Sequence, residues 1–234
     1  MKERKMKPDR ILKVKPPKEY PPEEGRYLRG NDFSPVAVVC ILNTPQEKIP
    51  SQLENLIRYA VESGAALAGL LQTENIGIEK VVLNIISNPN IRFIILCGIE
   101  SRGHLTGQTF KALIENGVDE KNFIIGSAAP TPYLYNLPKE FIKRFRAQIT
   151  LIDLLESIDC ELLKKGVWSC YQEKPTKFKD YVLCDPGAYP KPPILRKLTW
   201  KVTQPWTVVS EEEKKVLQRI TEAAKRQREK SKKK

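Results

Sequence analysis

Val36-Ala-Val-Val-Cys-Ile-Leu42 is an unbroken apolar run between Pro35 and the turn-forming Asn43-Thr-Pro45. A run this short, rich in β-branched residues, reads as a strand buried on both faces, as the strands of a parallel sheet are. Downstream, Leu53, Leu56, Ile57, Ala60 and Val61 recur at helical spacing from Ser51 to Glu62, and Gly64 follows where a helix-terminating glycine belongs. A short strand near Ala65 to Leu71 comes next. Ile78, Val81, Val82, Ile85 and Ile86 repeat the helical pattern, Asn88-Pro-Asn90 ends it, and Ile91-Arg-Phe-Ile-Ile-Leu96 is the next buried strand. Phe110, Leu113 and Ile114 mark a further helix ending at Asn116-Gly117, and Phe123-Ile-Ile125 and Ile149-Thr-Leu-Ile152 supply further strands. The alternation predicts an α/β fold, a Rossmann-like, doubly wound, mostly parallel sheet.

Outward from that core, residues 1–33 read as a basic, Pro-rich N-terminal arm carrying Pro16, Pro17, Pro21 and Pro22, and residues 34–159 as the α/β domain. Residues 160–209 read as a Pro- and aromatic-rich extension of little periodicity, with Trp168, Tyr171, Tyr181, Tyr189, Trp200 and Trp206, that wraps the core. Aromatics among lysines and arginines can stack on single-stranded nucleic acid, but they anchor an extended segment equally well, and anchoring needs no partner. Residues 210–234 read as a basic amphipathic helix and tail: Ser210 followed by Glu211, Glu212 and Glu213 has capping-box spacing, and Val216, Leu217, Ile220 and Ala223 share a face.

The formal charge of +12 over 234 residues is concentrated at the two ends. A basic fringe touches acidic surfaces or nucleic acid in some proteins and is a solvated tail in others. No apolar run approaches the ~18 residues of a membrane span. Met1-Lys-Glu-Arg-Lys-Met-Lys-Pro8 has no apolar stretch after its charges, so no secretory signal is read and a cytoplasmic protein is expected. Five cysteines without a C-x-x-C pair predict buried free thiols, and with a single histidine they leave no zinc-site spacing.

In a doubly wound sheet, ligands sit beyond the carboxyl ends of the strands, where loops converge. Those loops are Thr73-Glu-Asn75, Cys97 to Gly107, and Gly126 to Tyr135. The only histidine, His104, lies in the second, within Cys97-Gly-Ile-Glu-Ser-Arg-Gly-His-Leu-Thr-Gly-Gln108. His104 and Gly107 have the His-x-x-Gly spacing with which corrinoid proteins supply an imidazole to cobalt, the glycine letting the macrocycle or its tail approach the backbone. In the best-known corrinoid motif an Asp two residues earlier orients the imidazole; here that position is Arg102, so Glu100 or a backbone carbonyl is expected to do so.

Over roughly Ser34 to Asp159 the sequence resembles the corrinoid-binding A-subunit family of tetrahydromethanopterin S-methyltransferase. The residues that carry the resemblance are Ser34-Pro-Val-Ala-Val-Val39, Thr73-Glu-Asn-Ile-Gly-Ile-Glu-Lys-Val-Val82, Ile86-Ser-Asn-Pro-Asn-Ile-Arg92, Leu96-Cys-Gly98, Gly103-His-Leu-Thr-Gly-Gln108, Glu115-Asn-Gly-Val-Asp119 and Arg144-Phe-Arg-Ala-Gln148. The resemblance implies a Rossmann-type domain carrying a cobamide, with His104 as the cobalt axial ligand and catalytic group. With the converging loops it makes Glu74, Asn75, Gly98, Gly103, His104, Leu105, Thr106, Gly107, Gln108 and Gly126 the candidate cofactor-binding residues. It also implies the chemistry: cobalt in the Co(I) state accepts a methyl group from methyltetrahydromethanopterin and passes it to the thiol of coenzyme M, with partner methyltransferase subunits loading and unloading it. Members of the membrane complex typically end in a transmembrane helix, whereas this chain ends in Arg228-Glu-Lys-Ser-Lys-Lys-Lys234, so a soluble member lacking that helix is expected. Two alternatives stand beside this reading. One is a non-catalytic paralogue that binds a protein or nucleic-acid partner through its basic termini, nucleic acid being the less expected. The other is a thiol hydrolase using Cys97 with His104.

Overall fold

The computed structural model describes residues 12–45 and 48–198, together with positions 211, 215, 218, 219 and 222. The chain divides into two units, residues 1–198 and 199–234. The basic N-terminal residues 1–11, Trp200, Trp206 and most of the predicted C-terminal helix and tail lie outside the described residues; the five described positions of the second unit are helical. The first unit holds the fold.

Its sheet has five strands in the order β1-β3-β2-β4-β5: β1 Tyr27–Arg29, β2 Val36–Ile41, β3 Leu67–Leu71, β4 Phe93–Gly98 and β5 Thr150–Asp153. The central strand β2 is buried at every position and pairs in parallel with β3 on one side and β4 on the other. Alternation of side chains makes two cores. Ala37, Val39 and Ile41 face helices α2 (Ile76–Ile86), α3 (Thr106–Asn116) and α4 (Lys139–Gln148), while Val36, Val38 and Cys40 face α1 (Ser51–Glu62) and α5 (Cys160–Cys170). Both faces are covered, which is why β2 carries no polar residue.

The winding fixes where a ligand can reach. From β2 the chain crosses by α1 to β3 on one side, then returns by α2 on the opposite face, past β2, to β4. The direction of winding therefore reverses between β2 and β4, and the loops leaving their carboxyl ends diverge to opposite faces. Gly98 closes β4 at this point. Its φ is +89°, and a Cβ there would lie 2.8 Å from the Ile41 nitrogen and 2.9 Å from the Ile41 oxygen, so both its conformation and its proximity to β2 require glycine.

Three elements differ from the sequence expectation. Phe123-Ile-Ile125 forms no sheet strand; it makes isolated bridges to Val118 and Tyr133, and β5 takes the place beside β4. The stretch after Cys160 is not aperiodic: Leu163, Val167 and Cys170 form one buried face of α5, started by Asp159, whose carboxylate accepts the amides of Glu161 and Leu162. Gly166 interrupts the apolar pattern because the helix runs against the sheet there, with Ile95 and the Phe178 ring each 3.2 Å from where a Cβ would sit. A hairpin, β6 Thr176–Phe178 and β7 Tyr181–Leu183, follows. The third difference is in the arm, whose residues 27–29 are the antiparallel edge strand β1.

Beyond the hairpin, Ile194 and Leu198 pack against the first core. The Tyr189 ring is met by two guanidinium groups, Arg144 at 4.1 Å and Arg92 at 5.4 Å from its centre, and Ile194 donates its amide to the Ile86 carbonyl. Two segments that mark the family resemblance serve this packing. The Asn90 side chain bonds the backbone of Val14 and Asp32, fastening the arm. Gln148, 1% exposed, donates its amide group to the carbonyls of Ile85, Asn88 and Ile91 where α2 gives way to β4. The Ile85 and Asn88 carbonyls also accept the amides of Asn88 and Ile91, so losing Gln148 costs the Ile91 carbonyl its donor and Arg144 Nε its acceptor, and Gln148→Leu is expected to destabilise the fold by about 2–3 kcal/mol in urea unfolding. A loss under about 0.5 kcal/mol, as at an ordinary surface position, would show that these groups do not depend on it.

Candidate functional site

The loop from β4 to α3 is built around Glu100. Its Oε1 accepts the amides of Ser101 (2.7 Å) and Gly107 (3.0 Å), and its Oε2 accepts that of Gln108 (2.7 Å). A carboxylate here meets the unpaired amides and the positive end of the α3 dipole, so the helix start is tied back onto the loop that precedes it. Gly107 is buried in this arrangement: a Cβ there would sit 2.7 Å from Leu155 Cδ1 and 2.9 Å from Glu100 Oε2. What approaches the Gly107 backbone is Glu100 and Leu155, which corrects the expectation that this glycine clears space for a ligand. Gly103 is the open position, with nothing within 4 Å of where its Cβ would lie.

Between Glu100 and α3 the chain makes one tight turn, the Ser101 carbonyl accepting the amides of both His104 (3.1 Å) and Leu105 (2.6 Å). Leu105 follows in the left-handed region, φ +46°, a conformation that costs a branched side chain free energy and that clusters at functional sites. The turn holds the His104 side chain out, 58% exposed. Behind it Thr106, fully buried, donates its hydroxyl to the Gln72 carbonyl and so locks the start of α3 to the carboxyl end of β3.

The imidazole is held from the β3–α2 loop. His104 Nδ1 lies 3.0 Å from Glu74 Oε2, and the Glu74 side chain is only 2% exposed. An ionised carboxylate only accepts, so in the neutral imidazole Nδ1 carries the hydrogen and Nε2 keeps its lone pair. Glu74 is therefore the orienting group, in place of the Glu100 or backbone carbonyl expected from sequence, because Glu100 is committed to three amides. The other Glu74 oxygen, Oε1, accepts the hydroxyl of Thr131 at 2.6 Å, and Thr131 in turn accepts from Asn75 Nδ2 at 3.2 Å. Asn75 starts α2, its Oδ1 accepting the Ile76 amide.

The third loop is strapped along α3. Gln108 donates to the Gly126 carbonyl and accepts the Ala128 amide, and the hydroxyls of Thr109 and Ser127 lie 2.8 Å apart. This line of bonds carries the chain from Gly126 to Thr131 and delivers the Thr131 hydroxyl to Glu74. Of the sequence-predicted residues, the structure thus brings Glu74, Asn75, Gly103, His104, Leu105 and Thr106 together at the carboxyl edge. Gln108 and Gly126 join the third loop to α3, and Gly98 and Gly107 lie buried behind. Glu100 as a helix cap and Thr131 as a partner of Glu74 were not foreseen. The signal for Thr131 is Pro130-Thr-Pro132, two fixed φ angles enclosing one polar side chain.

Cys97 does not pair with His104. It is buried opposite Cys40 on the neighbouring strand, and the hydrogen bond with the Cys40 thiol together with burial pushes its thiol well up, away from the reactive thiolate. That removes the hydrolase reading. Among the described residues no three His, Cys, Asp or Glu side chains cluster as a metal-binding group, and no helix is long and apolar enough to cross a membrane.

The family model MtrA, which describes the A-subunit of tetrahydromethanopterin S-methyltransferase, matches residues 13–199. The chain belongs to this family. Among its relatives, the tetrahydromethanopterin S-methyltransferase A-subunit 1 of Methanothermobacter marburgensis is 42% identical over 171 residues, covering 73% of this chain and 67% of the relative. The A-subunit 2 of Methanothermobacter thermautotrophicus is 41% identical over 190 residues, 80% of this chain and 92% of the relative. The A-subunit of Methanocaldococcus jannaschii is 41% identical over 186 residues, 80% of this chain and 69% of the relative. In this MtrA-family chain the geometry above has a direct spectroscopic consequence. His104 is the sole histidine, so imidazole signals in a ¹H–¹⁵N spectrum of the protein without cofactor come from it alone. At alkaline pH the Nδ1–H tautomer should dominate in the wild type and lose that dominance in Glu74→Gln, whose amide presents donor or acceptor equally well. A wild-type spectrum dominated by the Nε2–H tautomer would be incompatible with the Glu74 contact.

Proposed function

We propose that this chain is a cytoplasmic corrinoid carrier in methyl transfer, with His104 Nε2 as the axial ligand of a cobamide. The observation that supports this best is the buried Glu74 carboxylate holding Nδ1 of an exposed imidazole, at the edge of the sheet where the winding reverses. That is the donor arrangement metal-bound histidines use: one ring nitrogen donates to a carboxylate, which fixes the tautomer, aims the ring and raises the basicity of the other. Membership of the MtrA family is the second support.

The residues present fit the group. The open Gly103 and the half-buried Asn75 and Leu105 lie on the same two loops as His104 and Glu74, at the carboxyl ends of the strands. Gly126 and Gln108 border the same edge from the third loop, while Glu74, Gly98, Thr106 and Gly107 act from behind by holding the loops. A bound cobamide supplies a cobalt centre able to take a methyl group from methyltetrahydromethanopterin, or a related methyl-pterin, and to yield it to a thiol such as coenzyme M. The protein's own part would be to bind the cofactor and to present the lone pair of His104 Nε2 to it, while methyltransferase partners bring donor and acceptor. Glu74 adjusts how strongly that imidazole donates, because any gain in its hold on the Nδ1 proton makes Nε2 a better ligand.

Reconstitution with cobamide tests the reading. The wild type should bind stoichiometrically and show the absorption spectrum of imidazole-ligated Co(III). His104→Ala should bind with only modestly reduced affinity, since the macrocycle offers a large contact area, and its spectrum should move to that of water-ligated corrinoid. Identical spectra for the two proteins would remove His104 as an axial ligand. Failure of the wild type to take up any corrinoid would leave the binding-only paralogue as the better account.

A further inference from the structure

We infer that Thr131 is a positioning residue for His104, acting through Glu74 and setting the donor strength of the outward-facing nitrogen; the functional meaning of this rests on His104 being the axial ligand. Glu74 is buried and has two oxygens to satisfy. One accepts from His104 and the other from Thr131, at 3.0 and 2.6 Å. If Oε1 were free, the carboxylate could turn about its last torsion, which is broad for a carboxyl group, and Oε2 would lose its fixed direction toward Nδ1. The Thr131 hydroxyl stops that rotation with a short charge-assisted bond.

The direction of every bond in the chain is determined by what each group is able to do. The Ile76 amide donates to Asn75 Oδ1, so the Asn75 amide group is turned toward Thr131 and donates to its oxygen. With a donor already on its oxygen, the hydroxyl hydrogen of Thr131 is directed to Glu74, which cannot donate. Thr131 itself has little freedom to do otherwise. Pro130 and Pro132 fix the backbone on both sides, and the Thr131 carbonyl accepts the Tyr133 amide while the Pro132 carbonyl accepts that of Ile124. A threonine needed only for packing would not require its hydroxyl to meet a buried carboxylate at 2.6 Å.

The consequence is that the 126–131 segment, strapped to α3, governs the electronic state of a side chain on a different loop. A removal that keeps shape tests this: Thr131→Val deletes the donor at nearly constant volume, and Thr131→Ser restores it. In ¹H–¹⁵N spectra of the protein without cofactor, Thr131→Val should lower the ratio of Nδ1–H to Nε2–H tautomer of His104 roughly threefold, as expected when Oε2 loses its fixed direction and the His104 bond is weakened by part of its net worth. Thr131→Ser should return the ratio to the wild-type value. Thr131→Ala repeats the deletion should the valine variant fold poorly. A wild-type or higher Nδ1–H fraction in folded Thr131→Val or Thr131→Ala would overturn the inference. The His104→Ala spectra with cobamide read the axial-ligand assignment separately, so failure of one is distinguishable from failure of the other.

Discussion

A carboxylate removed from water must be met by donors, or it costs several kcal/mol to keep there. The constraint falls on Glu74 at the site, as it does on Glu79 against Asn136, and the site is arranged around meeting it. Its two partners come from two further loops, His104 from the β4–α3 connection and Thr131 from the segment strapped along α3. One buried charge therefore ties together three loops that share no backbone hydrogen-bond ladder. The arrangement is reciprocal: the loops are drawn in by the carboxylate, and the carboxylate is tolerable only because they come.

Why this happens at one edge follows from the sheet. Parallel strands send all their connections out of the same end, and the reversal between β2 and β4 spreads them to opposite faces. Gly98 marks the limit of that crowding, where β4 passes so close to Ile41 that no side chain fits. Beyond it the chain turns at once through Glu100 into α3. The amides of Gly107 and Gln108 in the first turn of that helix are met by Glu100. That leaves the exposed imidazole as the chemically distinctive group the edge presents.

How far the sequence was legible depended on the range of the information. Val36 to Leu42 read as a central strand because burial on both faces leaves a local signature, and the helices around Leu56 and Val82 read from their own spacing. The edge strand β1 did not, since three residues paired with the rim of a sheet carry almost no pattern. In α5 the pattern of Leu163, Val167 and Cys170 was present but masked by Gly166, whose reason lies in Ile95 and Phe178, remote in sequence. The same division runs through the site. His104 and Glu74 both lie on loops that the strand pattern marked, but their contact joins positions thirty apart and was not legible; Glu100 or a backbone carbonyl was expected where Glu74 meets the imidazole. Gly107, read as clearance for a ligand, answers instead to a carboxylate seven residues back. Asn90 and Gln148, which marked the family as strongly as His104 did, hold the arm and the α2–β4 turn together.

The distribution of rigidity around His104 has a chemical logic. Its backbone turn rests on a single carbonyl, that of Ser101, and on a leucine in the left-handed region, so the segment is held under strain rather than by a dense network. Its imidazole, by contrast, is fixed from outside that segment by a carboxylate that is itself pinned. Direction and donor strength are thus supplied by the rigid part of the molecule, and access by the exposed part. A histidine buried deeply enough to be rigid by packing would be closed to solvent, and one free on a loop would favour the Nε2–H tautomer, with no lone pair on its outer nitrogen. Dividing the two requirements between His104 and the Glu74–Thr131 pair lets one exposed side chain satisfy both.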